Sequence, residues 1–263
     1  MKVFVVDLQK CNGCYACQVA CKDEHCGNDW SPYSKPEPLT GQFWCHLTER
    51  THGQVPKVRV EYRPVFGAQN EAIREYAPEV LMPREDGLIV IDPEKAVGRK
   101  DLADKFDGIY WNEELQIPQG CTGCAHLVDD GKLPHCVDAC PTDALRFGDA
   151  EDFADELEDA VDDFGPVDDS IVKYLHPFRL FISGEVWDPA KDLIIEGAKV
   201  SLASGDGTVL ETETDGFGDF WFHHIERGIY TLRIEADGFK EVEKRVDLND
   251  SLNIGDFPLE KAE

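Results

Sequence analysis

Two cysteine runs constrain this chain more than anything else in it. Cys11, Cys14, Cys17 and Cys21 are spaced CxxCxxCxxxC; Cys121, Cys124, Cys136 and Cys140 form a second run, and Pro141 follows its last member. A cubane iron–sulfur cluster needs four thiolates converging on one site. Two-residue gaps let three neighbouring thiolates, with the backbone curled between them, reach three irons of one cube, while the fourth points away. Other uses of cysteine fit less well. Structural zinc takes four ligands per site, typically from two separated pairs, and a tight run of four does not supply that pattern. Disulfides belong to oxidising compartments. The opening residues, MKVFVVDLQKC, hold no long apolar stretch of export-signal type and read at once as a strand, so a cytoplasmic setting is expected, with export alongside a signal-bearing partner the alternative. Cys26 and Cys45 lie outside both runs and read as ordinary free thiols.

Composition removes several function classes. The 53 acidic residues against 26 basic ones leave a net charge of -27, which argues against nucleic-acid binding, since neutralising phosphate needs a basic patch. Such an excess keeps a protein in solution and steers its partners. Adaptation to high salt would produce the same excess. No stretch approaches the ~18 apolar residues of a membrane-spanning helix. There is no phosphate-cradling glycine loop and no nucleophile motif, so no catalytic residue is assigned.

The chain divides by composition into three parts. Residues 1–148 hold every cysteine, residues 149–175 are strongly acidic, and residues 176–263 alternate apolar and polar positions between glycine turns. In the acidic part Ala150, Phe153, Leu157, Val161 and Phe164 recur at helical steps, predicting a helix with one apolar stripe that Gly165 and Pro166 stop. Its charge run reads as a solvated face. In the last part AKVSLAS, TVLETET, GDFWFHHI, GIYTLRIEADGF and EVEKRVDL alternate with period two, broken at Asp206-Gly207, Asp215-Gly216 and Asp237-Gly238. A small β-sandwich follows, with Val200, Leu202, Phe220, Phe222, Tyr230, Leu232 and Ile234 facing inward. His223 and His224 are expected on opposite faces of one strand, so at most one could serve a metal there. This segment resembles the transthyretin-like or Cna-B-like modules, immunoglobulin-like accessory domains in which these turns are core features.

The cysteine runs are similar to those of two-cluster bacterial ferredoxins, in which the cysteine before proline completes the other cluster. On that pattern Cys11, Cys14, Cys17 and Cys140 hold one [4Fe–4S] cluster, and Cys121, Cys124, Cys136 and Cys21 hold the second. Between the runs lies an echo at an offset of 85 residues: VVDLQKCNGC at residues 5–14 recurs as VIDPEKAVGR at residues 90–99. Val5, Asp7, Lys10 and Gly13 return as Val90, Asp92, Lys95 and Gly98, but the four cysteine positions hold Ala96, Arg99, Leu102 and Phe106, none of which coordinates iron. A duplicated module that has lost its cluster, inserted at about 46–115, explains this.

That arrangement resembles the ferredoxin-like electron-transfer subunits of molybdopterin oxidoreductases, the dimethyl-sulfoxide-reductase superfamily, and within it the pyrogallol–phloroglucinol transhydroxylase and resorcinol-hydroxylase type. The resemblance rests on Asp23-Glu24-His25, Tyr62-Arg63-Pro64, the run REDGLIVIDPEKAVGRKDL at 84–102, Tyr110 through Glu114, Cys121 through Asp130, and the appended sandwich. It implies an α+β fold, a degenerate second module and a C-terminal all-β sandwich. It also implies a large catalytic partner subunit holding a molybdenum or tungsten bis-pterin cofactor, and one-electron transfer as this chain's work. Relatives keep at least part of the middle cysteine set and this chain keeps none, so two clusters are expected. Tyr15, His126 and His135, beside the runs, are candidate tuners of cluster potential. A free-standing carrier and a scaffold with purely structural clusters are the rival readings.

Overall fold

The computed structural model of the chain describes residues 1–158, 160 and 171–262. It divides into two compact units, Met1–Glu49 with Tyr62–Pro177, and Arg50–Glu61 with Phe178–Glu263. Up to Pro177 the elements in chain order are β1 (Lys2–Asp7), α1 (Ala16–His25), β2 (Cys45–Gln54), β3 (Lys57–Phe66), α2 (Glu71–Tyr76), α3 (Lys100–Lys105), β4 (Tyr110–Asn112), β5 (Ile117–Gln119), α4 (Ala125–Asp129), α5 (His135–Asp138), β6 (Leu145–Asp149), α6 (Ala154–Leu157) and β7 (Val172–Leu175). The paired strands β2 and β3 thus contribute to both units, and residues 50–61, which fall inside the expected insert, group with the second.

In the first unit β1 is the middle strand of three, antiparallel to β6 with Val3 opposite Gly148, and parallel to β7 with Phe4 opposite Val172. Its sequence KVFVVD sends alternate side chains to opposite faces. Phe4 and Val6 pack among Cys17, Cys21, Cys45, Cys121 and Cys136. Val3 and Val5 face the other way and meet Leu175, Ala150, Phe153 and Leu157. The apolar stripe expected of the acidic segment therefore covers β1, as a 3₁₀ turn at Ala150–Phe153 running into α6. Val161, Phe164, Gly165 and Pro166 lie outside the described residues.

The echo is a structural repeat. Asp7 Oδ1 accepts from the Gln9 amide at 3.0 Å, and Asp92 Oδ1 from the Glu94 amide at 3.0 Å. The Cys11 amide donates to the Asp7 carbonyl, and that of Ala96 to the Asp92 carbonyl. Gly13 and Gly98 both take the left-handed conformation, with φ of 72° and 81°, as only glycine does without cost. Where the first copy gathers cysteines, the second gathers hydrocarbon: Ala96, Leu102 and Phe106 are buried with Ile73, Val80 and Ile109 in a core of their own. Arg99, the remaining cysteine position, turns its guanidinium to Glu79 and Asp101.

The second unit continues with β8 (Leu180–Asp188), β9 (Leu193–Ile194), β10 (Lys199–Ser204), β11 (Val209–Glu213), β12 (Asp219–Ile225), β13 (Gly228–Glu235), β14 (Val242–Leu248) and β15 (Leu252–Pro258). One sheet runs β11-β10-β13-β14; the other runs β12-β8-β15, with β9 beside β8. The core between them contains Val200, Leu202, Phe220, Phe222, Leu232 and Ile234 as expected, together with Leu180, Ile182, Val246 and Phe257, while Tyr230 is half-buried at its margin. The expectation for His223 and His224 needs correction. A bulge lies between Phe222 and Ile225, both of which point inward, and His224 adopts a φ of 60°, so both histidines are exposed. The bulge breaks the strict alternation. His223 stacks on Trp221, with ring centroids 5.6 Å apart.

Candidate iron–sulfur centres

Both CxxC loops turn on a left-handed glycine, although the helix after the second begins one position earlier relative to its cysteines. Gly13 and Gly123 precede Cys14 and Cys124 with φ of 72° and 63°, and each glycine amide is directed at the sulfur two residues back; the Gly123 amide is 3.4 Å from Cys121 Sγ. Tyr15 and Cys124, both left-handed, then open α1 and α4. A Cβ at Gly13 would lie 2.5 Å from the Tyr62 ring, and one at Gly123 2.5 Å from Leu88, so packing as well as φ demands glycine.

Helix geometry separates the thiols into two groups. Cys17 and Cys21 stand one turn apart on α1, and Cys136 and Cys140 are spaced alike across α5 and its end, a displacement of about 6 Å along the axis. One group is Cys11, Cys14, Cys17 and Cys140, which share a pocket with Leu47, Pro64 and Thr142. The other is Cys21, Cys121, Cys124 and Cys136, which feel one another's charge. The fourth member of each group comes from the opposite run, as the ferredoxin pattern implies.

The groups differ in exposure. Cys14 is exposed and Cys11 and Cys140 are half-buried, whereas Cys21, Cys121, Cys124 and Cys136 are all buried. Burial, followed by the Cys121, Cys136 and Cys124 thiolates, raises the Cys21 thiol. Cys121 is pushed up to about 12 by burial and by Cys136. Burial raises Cys11 as well, despite the Gly13 amide, and its neighbours Cys17, Cys140 and Cys14 add to the effect. Thiols crowded in this way ionise together only against a compensating positive charge, and a metal ligand must be the thiolate. The donor set therefore fits iron. Among the described residues no three His, Cys, Asp or Glu side chains converge as a lone ion would require. A cluster held here would take its four ligands from one of the two thiol groups.

The surroundings depart from the expected tuners. The Tyr15 hydroxyl donates to Glu49. His126 Nε2 lies 2.9 Å from Glu24 Oε1, with its ring stacked on Trp30, and His135 Nδ1 is 2.9 Å from Glu24 Oε2. These side chains are held by other partners. The imidazole that reaches a sulfur is His25, whose Nε2 is 3.7 Å from Cys124 Sγ. Burial, then His126 and His135, lowers its pKa to about 3, so it stays neutral and packs against Trp44. Cys26 caps α1 apart from both groups, its amide donating to the Lys22 carbonyl. Cys45 does not stand apart. It is buried at the start of β2, in the same core as Cys17, Cys21, Cys121 and Cys136. Spacing gave no hint of either placement, although Asp23-Glu24-His25 already carries the family resemblance.

The comparisons with known proteins agree with this geometry. The family model of the 4Fe-4S dicluster domain matches residues 70–150, and that of the carboxypeptidase regulatory-like domain matches residues 182–260. The pyrogallol hydroxytransferase small subunit of Pelobacter acidigallici is 33% identical over 97% of this chain and 98% of its own length. The B subunit of the anaerobic dimethyl sulfoxide reductase of Escherichia coli (strain K12) is 29% identical over 55% of this chain and 72% of its own length. The arsenate respiratory reductase iron-sulfur subunit of Shewanella sp. (strain ANA-3) is 24% identical over 56% of this chain and 81% of its own. No helix among the described residues is long and apolar enough to cross a membrane. With [4Fe–4S] chemistry, a ferredoxin-like domain followed by an all-β sandwich, and a relative matched along its whole length, the chain belongs to the iron–sulfur electron-transfer small subunits of the molybdopterin oxidoreductases.

Proposed function

We propose that the chain carries two [4Fe–4S] clusters, one on Cys11, Cys14, Cys17 and Cys140 and one on Cys121, Cys124, Cys136 and Cys21. On this reading it docks on a large catalytic subunit holding a molybdenum or tungsten bis-pterin cofactor. The complex acts on a polyhydroxylated aromatic in the manner of a transhydroxylase. The observation that carries this is the Pelobacter relative, matched through the cysteine region and the sandwich alike over 97% of this chain, where the dimethyl sulfoxide reductase subunit matches 55% of it. The count of two is supported by the hydrocarbon core built from Ala96, Leu102 and Phe106 where the repeat would hold a further cluster.

Each cluster would supply one site of reversible one-electron storage. The chain's own residues do the rest. The Gly13 and Gly123 amides point at ligand sulfurs and favour added negative charge. Phe4, Val6, Trp44 and Leu88 keep water from the inner group. The exposed Cys14 makes the first group the point of exchange with the partner, and the buried second group an inner store. Transhydroxylation is redox-neutral overall, so storage serves it without an outlet. Met1–Glu49 with Tyr62–Pro177 form the cluster-bearing part, in which the cluster-less repeat lies and to which Ala150–Leu157 and β7 belong, and Arg50–Glu61 with Phe178–Glu263 form the accessory sandwich. Cluster ligation by eight thiolates suits a reducing cytoplasm. Anaerobic purification tests the assignment: co-elution with a much larger subunit bearing molybdenum or tungsten supports it, and a stable monomer with reversible redox behaviour overturns it.

A further inference from the structure

The ligandless module grips the inner thiol group by its main chain. Leu88 and Val90 pack in the core that contains the cluster cysteines, while Ile89 and Ile91, which alternate with them, pack with Ala96, Leu102 and Phe106. Gln69 joins this segment to a ligand. It is 3% exposed, its Nε2 donates to the carbonyls of Ile89 and Cys121, each at 2.7 Å, and its Oε1 accepts from the Ile89 amide at 3.1 Å. A primary amide has two donor hydrogens and one acceptor oxygen, so all three partners are served at once. The Cys121 amide donates in turn to the Gly67 carbonyl at 2.8 Å. Gly67 is packed backbone against backbone on Gly108, whose carbonyl oxygen would stand 2.0 Å from a Cβ at Gly67. The N–H and the C=O of Cys121 are thus both held by residues 67–69, whereas Cys11, its counterpart in the first run, donates its amide to Asp7 four residues back.

We propose that Gln69 is a positioning residue through which the ligandless module fixes Cys121 and raises the midpoint potential of the inner cluster. This rests on the two-cluster assignment above. Gln69 carries no electron and gives up no proton; it acts through Cys121. The potential of a cluster follows the dipoles and hydrogen bonds around its ligands. The Gln69 amide hydrogens set the positive end of a dipole beside the Cys121 peptide, where it favours the negative charge that the reduced cluster gains. Held at both its N–H and its C=O, Cys121 also keeps its thiolate in one place. The side-chain bonds of Gln69 go to Ile89 and Cys121, so the inner midpoint is the one that responds. The module that has lost its own ligands serves those of its neighbour.

The test is a redox titration of the anaerobically purified complex followed by electron paramagnetic resonance, for the wild type, Gln69→Met and Gln69→Leu. Both substitutions fill the space without a donor, and methionine keeps the length of glutamine. The signal that survives Cys140→Ser identifies the inner cluster. In both Gln69 variants its midpoint falls, by roughly three- to tenfold in the reduced-to-oxidised ratio, where tenfold is about 59 mV for one electron. The outer midpoint stays at its wild-type value and shows within the same molecule that the fold is intact. Loss of the inner cluster alone from either variant also supports the role. An unchanged or raised inner midpoint, an equal shift of both midpoints, or loss of both clusters would overturn it. A wild type without two distinct cluster signals would instead overturn the two-cluster assignment, and this role with it.

Discussion

Replacing Leu102 with alanine tests whether side-chain packing has taken the place of a cluster in the repeated module. Leu102 stands where Cys17 stands in the first copy, is fully buried, and packs with Ile73, Val80 and Phe106. Removing a leucine side chain from such a core costs about 2–5 kcal/mol, the cavity left behind setting the position in that range. The neighbours come from α2, α3 and the segment around Ile89 and cannot all collapse together, so at least ~2 kcal/mol is expected. That is about a thirtyfold rise in the open fraction of this region. Native-state amide exchange of the anaerobic protein reads it directly, because local opening is reported amide by amide. Protection in α3 and at Leu88–Ile91 should fall by about that factor, with iron content unchanged. Unaltered protection, or iron lost in step with it, would refute the replacement of a cluster by hydrocarbon.

Other outcomes follow from the same geometry. Cys140→Ser should remove the cluster held by Cys11, Cys14 and Cys17 and leave about half the iron, whereas Cys26→Ser should leave iron unchanged; the assay is iron and labile sulfide per chain. Gly13→Ala should lower occupancy of that same cluster, since the new Cβ meets the Tyr62 ring at 2.5 Å and the left-handed φ costs alanine about 1–2 kcal/mol. Cluster absorbance per chain measures it. In the sandwich, burial would raise the Asp250 carboxyl, but His52 at 3.1 Å, the Ser251 amide and Arg50 hold it below its usual value. A depressed carboxylate contributes stability above its unfolded pKa of about 4 and loses it as pH falls through the lower folded value. Asp250→Asn should therefore reduce amide protection of β14 and β15 at pH 6, with the difference vanishing in acid; an effect that grows toward low pH would reverse the assignment.

The two thiol groups were legible in the sequence because cluster ligation is largely local: Cys11, Cys14 and Cys17 sit within seven residues and Cys140 is marked by Pro141, while Cys121, Cys124 and Cys136 sit within sixteen and Cys21 closes the first run. The sandwich strands β10 to β14 were legible for a similar reason, their period-two alternation being punctuated by Asp-Gly turns. The repeat was legible as well, since Asp92, Lys95 and Gly98 still serve the turn that Asp7, Lys10 and Gly13 serve. What the sequence concealed depends on long-range approach. Cys45, outside both runs, is buried in the core that holds Cys17 and Cys136, and His25 reaches Cys124 across 99 positions. Strands β8 and β15, a parallel pair joined only in the folded sheet, carry no turn signal between them. The exposure of both His223 and His224 depends on a bulge, and one left-handed residue is enough to override alternation.

This small subunit is expected to hold two clusters, the repeated module being filled by side chains instead. Iron and acid-labile sulfide, counted per chain on protein purified anaerobically with its partner and corrected for any iron the partner holds, test it most directly. About eight of each is the expected result. A value near twelve or sixteen would contradict it, since a further cluster would then occupy the module whose cysteine positions are Ala96, Arg99, Leu102 and Phe106.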